Sequence, residues 1–132
     1  MDIFFNDPDE IPLPPKEVRI RKLTAEPWPS GKLIHVYMEV DPFQKRPNAD
    51  LYIRNESGEI AAATSIIESM HRKMELTMHL PDANPGEGYT LDVKLYFAEI
   101  IEGNTSNQET KPIKKQVVDQ SKIHFRIPIE DD

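Results

Sequence analysis

Over most of this chain apolar and polar residues alternate with a period of two, the signature of strands that bury one face. Residues 32–40 set Ile34, Val36, Met38 and Val40 on one side and Leu33, His35, Tyr37 and Glu39 on the other. Residues 73–80 do the same with Met74, Leu76, Met78 and Leu80 against Lys73, Glu75, Thr77 and His79. From 89 to 97 the inward set is Tyr89, Leu91, Val93, Leu95 and Phe97, and over 116–129 it is Ile123, Phe125, Ile127 and Ile129. Residues 17–26 change phase: Val18 and Ile20 share a face, then Leu23 and Ala25 take over. That shift predicts a bulge or bend near Arg21 and Lys22. A short strand over 50–55 points Leu51 and Ile53 inward, and another leaves Glu59 through Ile60, Ala62 and Thr64. Between them Glu56-Ser57-Gly58 makes a tight hairpin with Gly58 placed for positive φ.

Turn chemistry separates these runs: Pro27, Pro29, Ser30 and Gly31; the loop 41–49; PDANPGEG at 81–88; and a long polar stretch over 99–116. Residues 61–73 fit two templates. A strand to about Ile67 followed by a turn at 68–72 is the first; a short helix with Ala63, Ile66, Ile67, Met70 and Met74 as its stripe is the second. Seven short strands, each with one apolar face, predict antiparallel sheets that cover each other. The expected fold is all-β: an antiparallel two-sheet immunoglobulin-like sandwich of about seven strands over residues 17–129, with an extended arm at 1–16 and an acidic tail at 130–132.

Charge sharpens the ends of this picture. The chain has 132 residues and a net charge of -7. The four acids before Lys16 and the three after Arg126 account for all of it, since 16 acidic and 16 basic residues balance between them. Acidic ends repel phosphate backbones and no basic footprint exists, so no nucleic-acid partner is expected. The arm holds Pro8, Pro12, Pro14 and Pro15, which oppose a helix. It also holds Phe4 and Phe5, which a merely solvated tail does not need. The arm is therefore expected to lie across the domain or across a neighbouring copy. No apolar run reaches 18 residues, so no membrane span is expected. The opening MDIFFNDPDE has neither a basic nor an apolar leader segment, and the expected location is the cytoplasm.

MELTMHLP, the Gly/Pro loop and GYTLDVKLYF, together spanning Lys73's neighbour Met74 to Phe97, resemble the late strands of immunoglobulin-like and fibronectin-type modules. The hairpin LYIRNESGEIAAA is similar to the middle strands of small bacterial modules of that kind. In that family a Tyr at the start of the penultimate strand makes a corner hydrogen bond back to the preceding loop, and Tyr89 holds the matching position. The chain departs from the pattern in having no Cys pair and no Trp on its third strand. The resemblance implies adhesion, spacing or recognition rather than a defined chemistry.

Candidate chemistry is sparse. Cysteine is absent, and no GxSxG, HExxH or glycine-rich phosphate loop occurs. His35 and His79 become neighbours if the second and fifth strands pair, but two imidazoles fall short of a zinc site. Asp82, Asn84, Glu87 and Asp92 are too scattered for a calcium loop. The two sequons at Asn55 and Asn104 lack a secretory context. No catalytic residue, metal or cofactor is expected. Tyr37, Tyr52 and Tyr96 fall on the polar parity of their strands and, with Phe43 and Leu33, suggest a partly apolar outer surface. Trp28 is expected to cap one end of the core or to stand exposed as a binding residue. The candidate interaction residues are thus Phe4, Phe5, Trp28, Tyr37, Phe43, Tyr52 and Tyr96. They point to a non-enzymatic module working through protein contacts, most concretely a homodimer with exchanged arms. The alternatives are a glycan- or lipid-binding sandwich using Trp28 and Phe43, and, third, an enzyme with titratable groups converging in a cleft.

Overall fold

The alternation closes into two antiparallel sheets. The computed structural model describes residues 11–100 and 113–129, and among these seven strands run β1 Ile20–Pro27, β2 Leu33–Val40, β3 Asn48–Arg54, β4 Ile60–Ile66, β5 Lys73–His79, β6 Gly88–Ile100 and β7 Ile113–Arg126. The small sheet has the order β1-β2-β5 and the large sheet β4-β3-β6-β7. The fourth strand therefore sits beside the third, whereas in constant-type immunoglobulin domains it joins the first, second and fifth. Between the layers lie Ile34, Val36, Met38, Leu51, Ile53, Leu91, Val93, Leu95 and Phe97, each at most 1% exposed. These are the inward sets of the two-residue period. Each contributes roughly 1.5–3 kcal/mol by leaving water.

Bulges decide which side chains obey the period. Ile20 pairs with Val40 and Lys22 with Glu39, so Arg21 is the extra residue that the phase change in 17–26 predicts. A second bulge corrects an expectation. Ile53 pairs with Ala62 but Arg54 pairs with Ile60, leaving Ala61 unopposed. Ile60 is thereby carried onto the outward face of Arg54 and is 52% exposed, not inward. A third lies between Leu95 and Tyr96 on β6, opposite Val118 on β7.

Residues 61–73 form a strand to Ile66 and then a non-helical turn. Glu68 takes φ 45° there, and the Asn48 side chain accepts its N–H at 2.8 Å. Several boundaries differ from those the pattern predicts, among them β1, which begins at Ile20 rather than 17, and β6, which runs on to Ile100. β3 begins at Asn48 rather than 50. β7 begins at Ile113 rather than 116, because ladder pairing is a main-chain property that Lys114 and Lys115 do not interrupt. Beyond Ile127, Pro128 has no N–H to continue the ladder, and Ile129 is 68% exposed rather than inward.

Phe4 and Phe5 lie outside the described residues, as do 101–112 and the tail 130–132. The described part of the arm is tied to its own domain. Leu13 donates to Pro42 O at 2.9 Å and accepts from Gln44 N at 3.0 Å, bringing it beside Phe43. The four prolines do not exclude every turn: Pro15–Glu17 is a short 3₁₀ turn begun by Pro15, whose fixed φ suits a first helical position. Among the described residues no helix is long and apolar enough to cross a membrane.

Candidate functional site

The two outer faces differ in what they offer. On the small sheet, Lys22, Glu39 and Lys73 lie in one cross-strand row and Thr24, Tyr37 and Glu75 in the next. Tyr37 donates its hydroxyl to Glu39, and Lys22 stands 5.6 Å from its ring centre. The shared proton pushes the Tyr37 phenol up and holds the Glu39 carboxyl down. This face is a solvated charge lattice. His35 contacts Glu75 at 3.1 Å, and it pairs with Thr77 while His79 pairs with Leu33, so the two imidazoles are diagonal rather than opposed. Among the described residues no three His, Asp or Glu side chains come together as a metal site.

The large sheet's outer face is filled by its own side chains. Asp50 accepts from Ser65 Oγ at 2.9 Å and from Lys115 Nζ at 3.1 Å. That carboxylate raises the Lys115 ammonium above its ordinary value. Lys115 also covers Tyr96, 4.8 Å from its ring centre. Tyr96 is consequently buried, 5% exposed, although it has the outward parity. Burial first, and then the Asp50 charge, push its phenol up. Asp92, 4% exposed, accepts from Gln120 Nε2 at 2.9 Å and lies 4.0 Å from Arg54.

Of the candidate aromatics among the described residues, only Tyr52 and Tyr96 are brought near each other. Tyr37 belongs to one sheet and Tyr52 and Tyr96 to the other, on opposite outer faces of the sandwich. Phe43 is partly buried against the core beside Leu13. Trp28 is 48% exposed in the turn after β1. The length of β2 separates Trp28 from Phe43, so the two cannot line one pocket. Parity distinguishes in from out, but it does not tell which outside a residue faces.

The strand edges carry a signal that the sequence reading passed over. Three of the four are charged: β1 has Arg21, Lys22 and Glu26; β5 has Lys73 and Glu75; β7 has Lys114, Lys115, Asp119 and Lys122. Such charges deter unplanned strand pairing. The β4 edge reads Ile60-Ala-Ala-Ala-Thr-Ser-Ile66, followed by Ile67, without one charge or proline. Among the described residues only the inner side of this strand is bonded, to β3.

A groove of about 810 Å³ lies at the β3–β4 hairpin end of the large sheet's outer face. Its floor is low because β6 contributes Gly88 and Thr90 there, while Arg54 on one side and His124 and Arg126 on the other are long. Tyr89, stacked on Phe125 at 5.8 Å between ring centres, closes its base. Tyr89 makes the corner, with a difference: its hydroxyl donates to the Glu87 carboxylate at 2.6 Å. Burial and that carboxylate push the phenol up to about 12. A raised phenol pKa in the folded state stabilises while Tyr89 stays protonated, and this contribution is lost as pH rises from about 10, where an unfolded Tyr titrates, through about 12. Tyr89→Phe is expected to cost about 1 kcal/mol at neutral pH. The gap to wild type in urea midpoint should close between pH 10 and 12.

No protein-family profile and no curated protein matches the chain. Solved structures do. A glycosyl hydrolase family 2 member from Bacteroides cellulosilyticus aligns with 83% of this chain at 12% identity and a TM-score of 0.51. A Lactobacillus rhamnosus beta-glucuronidase aligns with 86% at 15% identity and a TM-score of 0.46. This chain spans only 15% and 16% of those proteins. At such identity the first likeness speaks for the sandwich fold alone.

Proposed function

We propose that the chain is a non-catalytic β-sandwich module that self-associates, its β4 edge pairing antiparallel with β4 of a second copy. The uncharged edge carries this reading. In a chain with 30% charged residues, the eight positions 60–67 have none, whereas the other three edges are guarded. A two-fold pairing centred on Ala63 sets Ile60 opposite Ile66, Ala61 opposite Ser65 and Ala62 opposite Thr64. No like charges then oppose each other, the condition a self-pairing edge has to meet. Small side chains let the strands approach, and the four-stranded sheets join into one of eight.

Sedimentation of the full chain tests this. The expected mass rises with concentration from 15.2 kDa toward twice that value. Ala63→Lys sets lysine against lysine at the two-fold centre and should weaken association tenfold or more, with far-ultraviolet dichroism and urea midpoint unchanged. A chain that stays monomeric at every concentration, or a variant that associates as well as wild type, overturns the proposal.

A further inference from the structure

We propose that the groove at the hairpin end of the large sheet is a binding site for a tetrahedral oxyanion, a phosphate or sulfate group. Lys122, His124 and Arg126 are alternate residues of β7 on the groove side, about 7 Å from one to the next. Arg54 faces them across β6, two strand spacings or roughly 10 Å away. Thr90 sits between Arg54 and His124 in the same row, so the cationic ends surround a short side chain and leave a hollow above it.

Two acids, Glu56 and Asp92, also line the groove, against the three cations Arg54, Lys122 and Arg126. Asp92 is buried and already engaged by Gln120 and Arg54. Glu56 accepts the Gly88 N–H at 3.3 Å. Lys122 has no acidic partner among the described residues. Thr90 Oγ1 is 2.9 Å from His124 Nδ1, which leaves Nε2 as the ring nitrogen open to a ligand. Two guanidinium groups, an ammonium and an imidazole around one hollow match the several acceptor oxygens of a tetrahedral anion better than the two of a carboxylate. Farther along this face Asp50 is paired with Lys115, whereas the groove's cations converge on one hollow, so the site takes one anionic group.

The test is an amide NMR titration of the full chain with inorganic phosphate, inorganic sulfate and acetate, each at constant ionic strength set with sodium chloride. Phosphate or sulfate is expected to give saturable shifts at Thr90, Lys122 and His124 with a dissociation constant on the order of 1–10 mM, as befits a small ligand with few contacts. Acetate should bind at least tenfold more weakly. Lys122→Glu, at an exposed position across from Asp92, should weaken phosphate tenfold or more, while Lys22→Gln on the opposite sheet should leave it unchanged. Shifts that do not saturate, that acetate reproduces, or that survive Lys122→Glu overturn the assignment.

Discussion

Gly31→Ala is expected to destabilise the fold by about 2–4 kcal/mol, against about 1 kcal/mol for Gly58→Ala, although both glycines have positive φ. Gly31 takes φ 77° in the β1–β2 turn and Gly58 takes φ 86° in the β3–β4 hairpin. The left-handed backbone costs an L residue about 1–2 kcal/mol, partly offset by roughly 0.4–1 kcal/mol from a stiffer unfolded chain. The two sites differ in surroundings. A Cβ on Gly58 meets nothing within 4 Å, whereas one on Gly31 comes within 2.6 Å of Ile127 Cγ2. Ile127 has little room to retreat. It is 3% exposed, its N–H donates to Glu87 O at 3.0 Å and its carbonyl accepts from Gly86 at 2.9 Å. Its branched side chain is also stiff about χ1. Overpacking therefore adds about 1–3 kcal/mol at Gly31 alone. Urea unfolding of both variants measures the difference, and Ile127→Ala placed with Gly31→Ala should recover the overpacking part as a coupling of about 1–3 kcal/mol.

The same turn shows how far the sequence could be read. Inward and outward positions were legible for β2, β5 and β6 because burial on one face of a sheet imposes a strict period of two. The Arg21 bulge was legible too, since apolar residues stand on both sides of it to reveal the phase change. The Ala61 bulge was not: in a run of three alanines no change of residue size marks the slip that turns Ile60 outward. Nor was the fate of Tyr96 visible, because its cover comes from Lys115, distant in sequence and adjacent only through the β6–β7 register. The groove has the same origin. Gly88 and Thr90 are unremarkable along the chain and become a hollow only once Arg54, His124 and Arg126 flank them. The uncharged β4 edge was written in the sequence, but its meaning required knowing that β4 ends a sheet.

Phe97→Ala is expected to have the largest effect of any single truncation, about 3–5 kcal/mol, or a fall in melting temperature of roughly 10–20 °C. Phe97 is the largest side chain buried below 2% exposure. It extends from β6, which is hydrogen-bonded on one side to β3 and on the other to β7. At Phe97 itself the backbone is paired with Gln116 of β7, and one residue earlier Tyr96 is paired with Asn48 of β3, which limits how far it can sink to fill the space. The cost of truncating a core residue grows with the cavity that remains, so a site that resists collapse belongs near the top of the range. A domain of this size has about 5–15 kcal/mol in all, and the variant spends a large part of it. Phe97→Leu retains most of the buried volume and should lose less than half as much. Calorimetry of the two variants separates the cavity from a general intolerance at this position: equal losses would mean that the ring's shape, rather than the space it fills, holds the two sheets together.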